Sequence, residues 1–94
     1  MTFVNHLRGY QYIYTSSAKK DLKKINKHDV KKIDSKLKSL VSGNQDLDVK
    51  KLVDMRYSRF RLRVGDYRVI YEVYDNKILV LVVGVGHRKD VYRS

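Results

Sequence analysis

The stretch YSRFRLRVGDYR, residues 57–68, sets Arg59, Arg61 and Arg63 alternately with Phe60, Leu62 and Val64, and Arg68 follows just past Gly65 and Asp66. Successive side chains of a strand point to opposite faces, so the three arginines share one face and the apolar residues the other. Residues 56–68 hold five arginines and a single acid, Asp66. A guanidinium grips phosphate through two parallel hydrogen bonds and stacks on flat rings, whereas an ammonium acts as a point charge. Tyr57, with Tyr10 and Tyr12 as further candidates, offers rings on which bases stack. The row therefore reads as a nucleic-acid contact surface made of Arg56, Tyr57, Arg59, Arg61, Arg63 and Arg68. The same alternation also describes the solvated outer face of a half-buried sheet.

The ending GHRKDVYRS carries a second set of reactive types. The imidazole of His87 titrates near neutrality and suits proton transfer. Arg88 and Lys89 extend the phosphate-binding charge, and Tyr92 offers a ring or a phenol. Taken alone, a histidine at a strand end is as readily structural, and a tyrosine near a chain end as readily a packing residue.

A net charge of +11 on 94 residues points to a polyanionic partner: nucleic acid, an anionic membrane surface or an acidic protein. Solubility requires far less charge. The length suits one domain, residues 1–94, with a modest core drawn from 43% hydrophobic residues. Cysteine is absent, so disulfides and thiolate metal sites are ruled out. His6, His28 and His87 lie too far apart for metal-ligand spacing, and neither a metal nor a cofactor is expected. The longest apolar run, ILVLVVGVG, is too short to span a bilayer. The first ten residues lack a secretory pattern, which points to the cytoplasm.

The elements that must position these residues follow from pattern. YQYIY, residues 10–14, reads as a strand. Thr15, Ser16 and Ser17 are candidate caps for a helix carrying Ala18, Leu22 and Ile25. Asp29 is the expected cap of a second helix, whose stripe is Val30, Ile33, Leu37, Leu40 and Val41 and which ends at Ser42–Asn44. Nine lysines and three aspartates fall within this hairpin. DVKKLV reads as a short strand, residues 57–64 as the next, then Tyr67–Tyr74 after a Gly65–Asp66 turn, and Lys77–Val85 after an Asp75–Asn76 turn. The last strand is apolar at nearly every position and suits a central place. The expected fold is α+β: an N-terminal strand, a helical hairpin and an antiparallel three- to four-stranded meander, with the helices on one side. Residues 1–9 form an N-terminal extension that either lengthens the first strand or packs on the sheet edge.

RLRVGDYRVIYEV, ILVLVVGVGHR and HRKDVYRS together resemble the RelE branch of the RelE/ParE toxin superfamily, from about Tyr10 to the C-terminus. The paired signature is a G-D-Y-R hairpin and an H-R near a C-terminal V-Y. The resemblance implies a type II toxin that cuts messenger RNA in the ribosomal A site and is neutralised by an acidic antitoxin, itself partly disordered alone. It further implies that the toxin–antitoxin complex binds its operator DNA through the antitoxin. Arg68 then matches the family's hairpin arginine, which stabilises charge on the scissile phosphate. Arg88 matches the tail arginine that serves the leaving group, and Tyr92 the tyrosine that stacks on the substrate base. Arg59 and Arg61 stand where RelE enzymes often carry lysines. Arginine is almost never deprotonated, so Arg61 suits charge stabilisation and not general-base work. His87 then becomes a candidate acid or base. The alternatives are a ParE-type toxin acting on DNA gyrase, a non-catalytic basic RNA-binding module and a degenerate toxin.

Overall fold

The computed structural model describes residues 6–52 and 59–87. Strand β1 (Gln11–Tyr14) leads into helices α1 (Ser16–Lys23) and α2 (Lys27–Val41). Strands β2 (Val49–Leu52), β3 (Arg59–Val64), β4 (Tyr67–Tyr74) and β5 (Leu79–His87) follow, with a 3-10 turn at Asp75–Lys77. They form one five-stranded sheet in the order β1-β5-β4-β3-β2. Only β1 runs parallel to its neighbour, β5; the other pairings are antiparallel. The chain reaches that parallel position because the two helices supply the crossover such a pairing needs.

Thr15 caps α1 by accepting the Ala18 N–H at 3.1 Å. The cap of α2 is Asn26, not Asp29: Asn26 Oδ1 accepts the Asp29 N–H at 2.9 Å, and its amide donates to the Asp29 carboxylate at 2.9 Å. The two side chains thus close the helix start reciprocally, and Asp29 serves the helix dipole from within the first turn. Gly43, just past α2, takes the left-handed conformation at φ 87°.

The core forms where Ile33, Leu37 and Leu40 of α2 and Ala18 of α1 meet Leu62, Val69, Tyr71, Val80 and Val82 of the sheet. Both helices lie on that one face. Phe60 stacks on Tyr71 at 5.4 Å between centroids, at the margin of this layer. Tyr12 and Tyr14 of β1 both donate to Asp34 of α2, at 2.7 and 3.1 Å, tying an edge strand to the helical layer.

The β3–β4 hairpin turns on Gly65, which alone of the two turn residues needs positive φ (58°). The β4–β5 connection is longer than the expected Asp75–Asn76 turn. It takes a 3-10 turn and then Ile78 at φ 50°, so β5 begins at Leu79 and runs to His87. A bulge on β5 lies between the pairs Ile70↔Gly84 and Tyr71↔Val82.

Candidate nucleic-acid interface

Residues equidistant from the Gly65–Asp66 turn oppose one another: Arg63 faces Arg68, Arg61 faces Ile70 and Arg59 faces Glu72. Leu62, Val64, Val69 and Tyr71 fill the helix face. Arg59, Arg61, Arg63 and Arg68 therefore share the outer face of the sheet, as the alternation requires.

The row is not uniform. The Arg59 guanidinium donates from Nε (3.2 Å) and Nη2 (2.5 Å) to Glu72 Oε2, while Tyr74 donates to Glu72 Oε1 at 2.7 Å. Glu72 is buried, so Arg59 is committed to holding a carboxylate inside the fold. Arg61 donates from Nη2 to Asp48 at 2.9 Å, and its Nε is buried without a hydrogen-bond partner. Arg63 is exposed; its Nε reaches the Gly65 carbonyl at 3.4 Å. Arg68 is buried at 7% exposure, at the same end of the sheet. The surplus of one sign read from residues 56–68 is thus partly cancelled by Glu72 and Asp48, two acids outside that stretch. Glu72 was legible in principle, since the turn position fixes its register opposite Arg59. Asp48 was not, because the β2 pairing is nonlocal.

His87 does not join this face. It pairs in register with Tyr67, and the two rings meet edge to face at 5.8 Å on the helix side. Gly86 is the residue opposite Arg68. His87, the candidate acid or base, and the arginines therefore sit on opposite surfaces of the same sheet end. The parity of the strand decides it: β5 places residue 87 one step from the outward-facing position. Arg56, Tyr57, Arg88, Lys89 and Tyr92 lie outside the described residues.

The family model for the ParE toxin of type II toxin–antitoxin systems (parDE) matches residues 12–92. Among solved structures, the chain is similar to RelE of the RelB–RelE antitoxin–toxin complex from Methanococcus jannaschii, with 30% identity, a TM-score of 0.66, and coverage of 85% of this chain and 94% of that one. It is similar to the isolated Escherichia coli RelE toxin, with 26% identity, a TM-score of 0.66, and coverage of 89% and 92%. The toxin of the Pyrococcus horikoshii RelE–RelB complex shares the fold at 24% identity and a TM-score of 0.71, over 86% and 97%. No curated protein sequence matched. The chain belongs to the ParE toxin family of type II toxin–antitoxin systems, within the RelE branch of the RelE/ParE superfamily.

Proposed function

We propose that this toxin is a ribosome-dependent endoribonuclease that cleaves messenger RNA in the ribosomal A site and so inhibits translation. One observation carries the reading: Arg63 and Arg68 stand directly opposite each other, with Arg61 on the same face. Side by side on one face, these arginines supply the forked N–H donors that phosphate oxygens accept. The Arg61 Nε, buried without an acceptor, adds a charged donor whose desolvation an incoming phosphate oxygen would offset.

The reaction is attack of a ribose 2′-OH on the adjacent phosphodiester, giving a 2′,3′-cyclic phosphate and a free 5′-OH. Arg61 and Arg68 stabilise charge on the non-bridging oxygens. By the family resemblance, Arg88 serves the leaving 5′ oxygen and Tyr92 stacks on a base; Arg56, Tyr57, Arg59, Arg63 and Lys89 are the proposed RNA contacts. Of these, Arg59 contributes chiefly by holding Glu72. His87, on the helix face, is given no part in the proton transfer. An arginine site is rich in electrostatic stabilisation and poor in proton acceptors. Alignment of the RNA by the ribosome supplies the remaining advantage through orientation. The partner that restrains the toxin is a cognate antitoxin, acidic to match a charge of +11 and folding onto this chain. RelE proteins of M. jannaschii and P. horikoshii occur in such complexes with RelB. Operator binding by the complex is assigned to the antitoxin.

The test is induction of the toxin followed by mapping of message ends during translation. Cuts within translated codons are expected, and Arg68→Ala should reduce them by roughly 10²–10³, the cost of losing one charge-stabilising donor. The match to a ParE family model favours a second reading, poisoning of DNA gyrase. Intact messages together with gyrase-dependent DNA breaks would establish it instead.

A further inference from the structure

Behind the arginine face, at the same end of the sheet, lies a cleft of about 400 Å³ lined by Asp21, Lys24, Tyr67, Gly86 and His87. Its construction follows from where β1 stops. The β1–β5 pairing ends at Tyr14↔Val82, so among the described residues β5 runs on beyond it without a strand on that edge. The Val85 N–H is instead taken by Asp21 Oδ2 of α1 at 2.9 Å. That contact fixes the carboxylate in the cleft wall and uses one of its two oxygens. Tyr67 and His87, whose rings meet edge to face, line the same cleft, and Lys24 is an exposed cation beside it.

We propose that this cleft is a subsite for one nucleotide, selective for bases bearing an exocyclic amine. The base stacks on the face of the Tyr67 or the His87 ring, the amine donates to Asp21 Oδ1, and Lys24 meets the nucleotide's phosphate. Every base has a face to stack, so the rings supply affinity without choice. A carboxylate is acceptor-only, so Asp21 supplies the choice. The cleft and the arginine face are neighbours through Gly86, which opposes Arg68 and sets no side chain between the two surfaces. Among the described residues, an RNA strand held by Arg63 and Arg68 thus meets no side chain at position 86 on its way over the strand edge to the cleft. Identifying the occupant as a nucleotide flanking the cleaved bond rests on the nuclease reading; the base preference does not.

The full chain is titrated with cytidine and uridine 5′-monophosphates, which match in size and differ at the 4-amine against the 4-carbonyl. Binding is followed by amide NMR shifts. Signals of Tyr67, Val85, Gly86 and His87 are expected to move, with cytidine monophosphate binding about fivefold more tightly, the worth of one hydrogen bond. Asp21→Asn keeps an acceptor for Val85 but presents an amine to the base, and should reverse the preference. Lys24→Ala should weaken both ligands alike. Equal affinities in the wild-type protein, or inorganic phosphate matching both ligands, would overturn the subsite whatever the fate of the variants. A cytidine-containing trinucleotide should move Arg63 and Arg68 signals together with the cleft's; movement of the cleft alone would mark a free-nucleotide site and overturn the shared strand. Cleaved messages with no preference for cytidine over uridine would remove the subsite alone. Cytidine preference without cleavage would remove the nuclease reading alone.

Discussion

At the residue scale, four arginines of one type and one face do three different jobs. Arg59 neutralises Glu72, whose side chain is 8% exposed. Among the described residues, removing Arg59 leaves a buried carboxylate with only the Tyr74 hydroxyl, and Arg59→Ala should cost about 2 kcal/mol, below the range for a fully buried pair because Arg59 is a third exposed. Arg63→Ala, at an exposed position, should change stability by less than about 0.5 kcal/mol. On RNA the order inverts: Arg63→Ala should lower affinity uniformly and reduce the salt slope by about one, with a smaller loss for a variant at Arg59 that still folds. Urea unfolding and RNA titrations at several salt concentrations read both halves, and equal loss of affinity in the two variants would contradict the division. The shared face was legible because strand parity is local. The split was not, because it depends on acids brought in by pairing, and the face of His87 depends on the register of β5.

At the element scale, the sequence is most informative where one residue type alone satisfies the backbone. Gly65 fixes the β3–β4 turn, and β4 spans Tyr67–Tyr74 as its pattern requires. Asn26 and Asp29 both cap well, so composition could not choose between them; the structure uses both, with Asn26 outside the helix. The start of β5 was misread because nothing marks Ile78 for a left-handed conformation, and a β-branched residue there is strained. Its carbonyl accepts the Gln11 N–H at 3.1 Å, opening the β1–β5 ladder, so the strain sits where the parallel pairing begins. Ile78 is 55% exposed and lies outside the core cluster of the described residues. Ile78→Gly should therefore raise stability by about 1 kcal/mol, the left-handed penalty less the added freedom of glycine in the unfolded chain. A higher urea midpoint at unchanged slope would show it; a loss would mean that the side chain packs better than its exposure indicates.

At the scale of the whole molecule, a charge of +11 must be carried by a small core, and the layers are joined by polar ties as well as apolar packing. The tie between β1 and α2 is the pair of phenols on Asp34. Burial, then the hydrogen bond and charge of Asp34, push the Tyr12 phenol up to about 12. Burial and the same carboxylate raise Tyr14 as well, and burial alone raises Tyr71. Each phenol is neutral when bound and titrates near 10 once unfolded. A group whose folded value is raised contributes stability that is complete below its unfolded value and is lost as pH rises through the folded one. The tie should therefore hold below about pH 10 and weaken between there and about pH 12. Lysines lose charge over the same interval and relieve repulsion, which opposes the loss, so the wild-type curve alone does not isolate the phenols. Tyr12→Phe keeps every lysine and removes one of them. Below pH 10 it should be the less stable protein, by about 1 kcal/mol for a partly exposed hydrogen bond to a carboxylate. That deficit should shrink as pH rises, and thermal unfolding of the two proteins from pH 8 to 12 should converge. A deficit that stays constant across the interval would mean that Tyr12 ionises in the folded protein as readily as in the unfolded chain, and that Asp34 does not hold the edge strand to the helices.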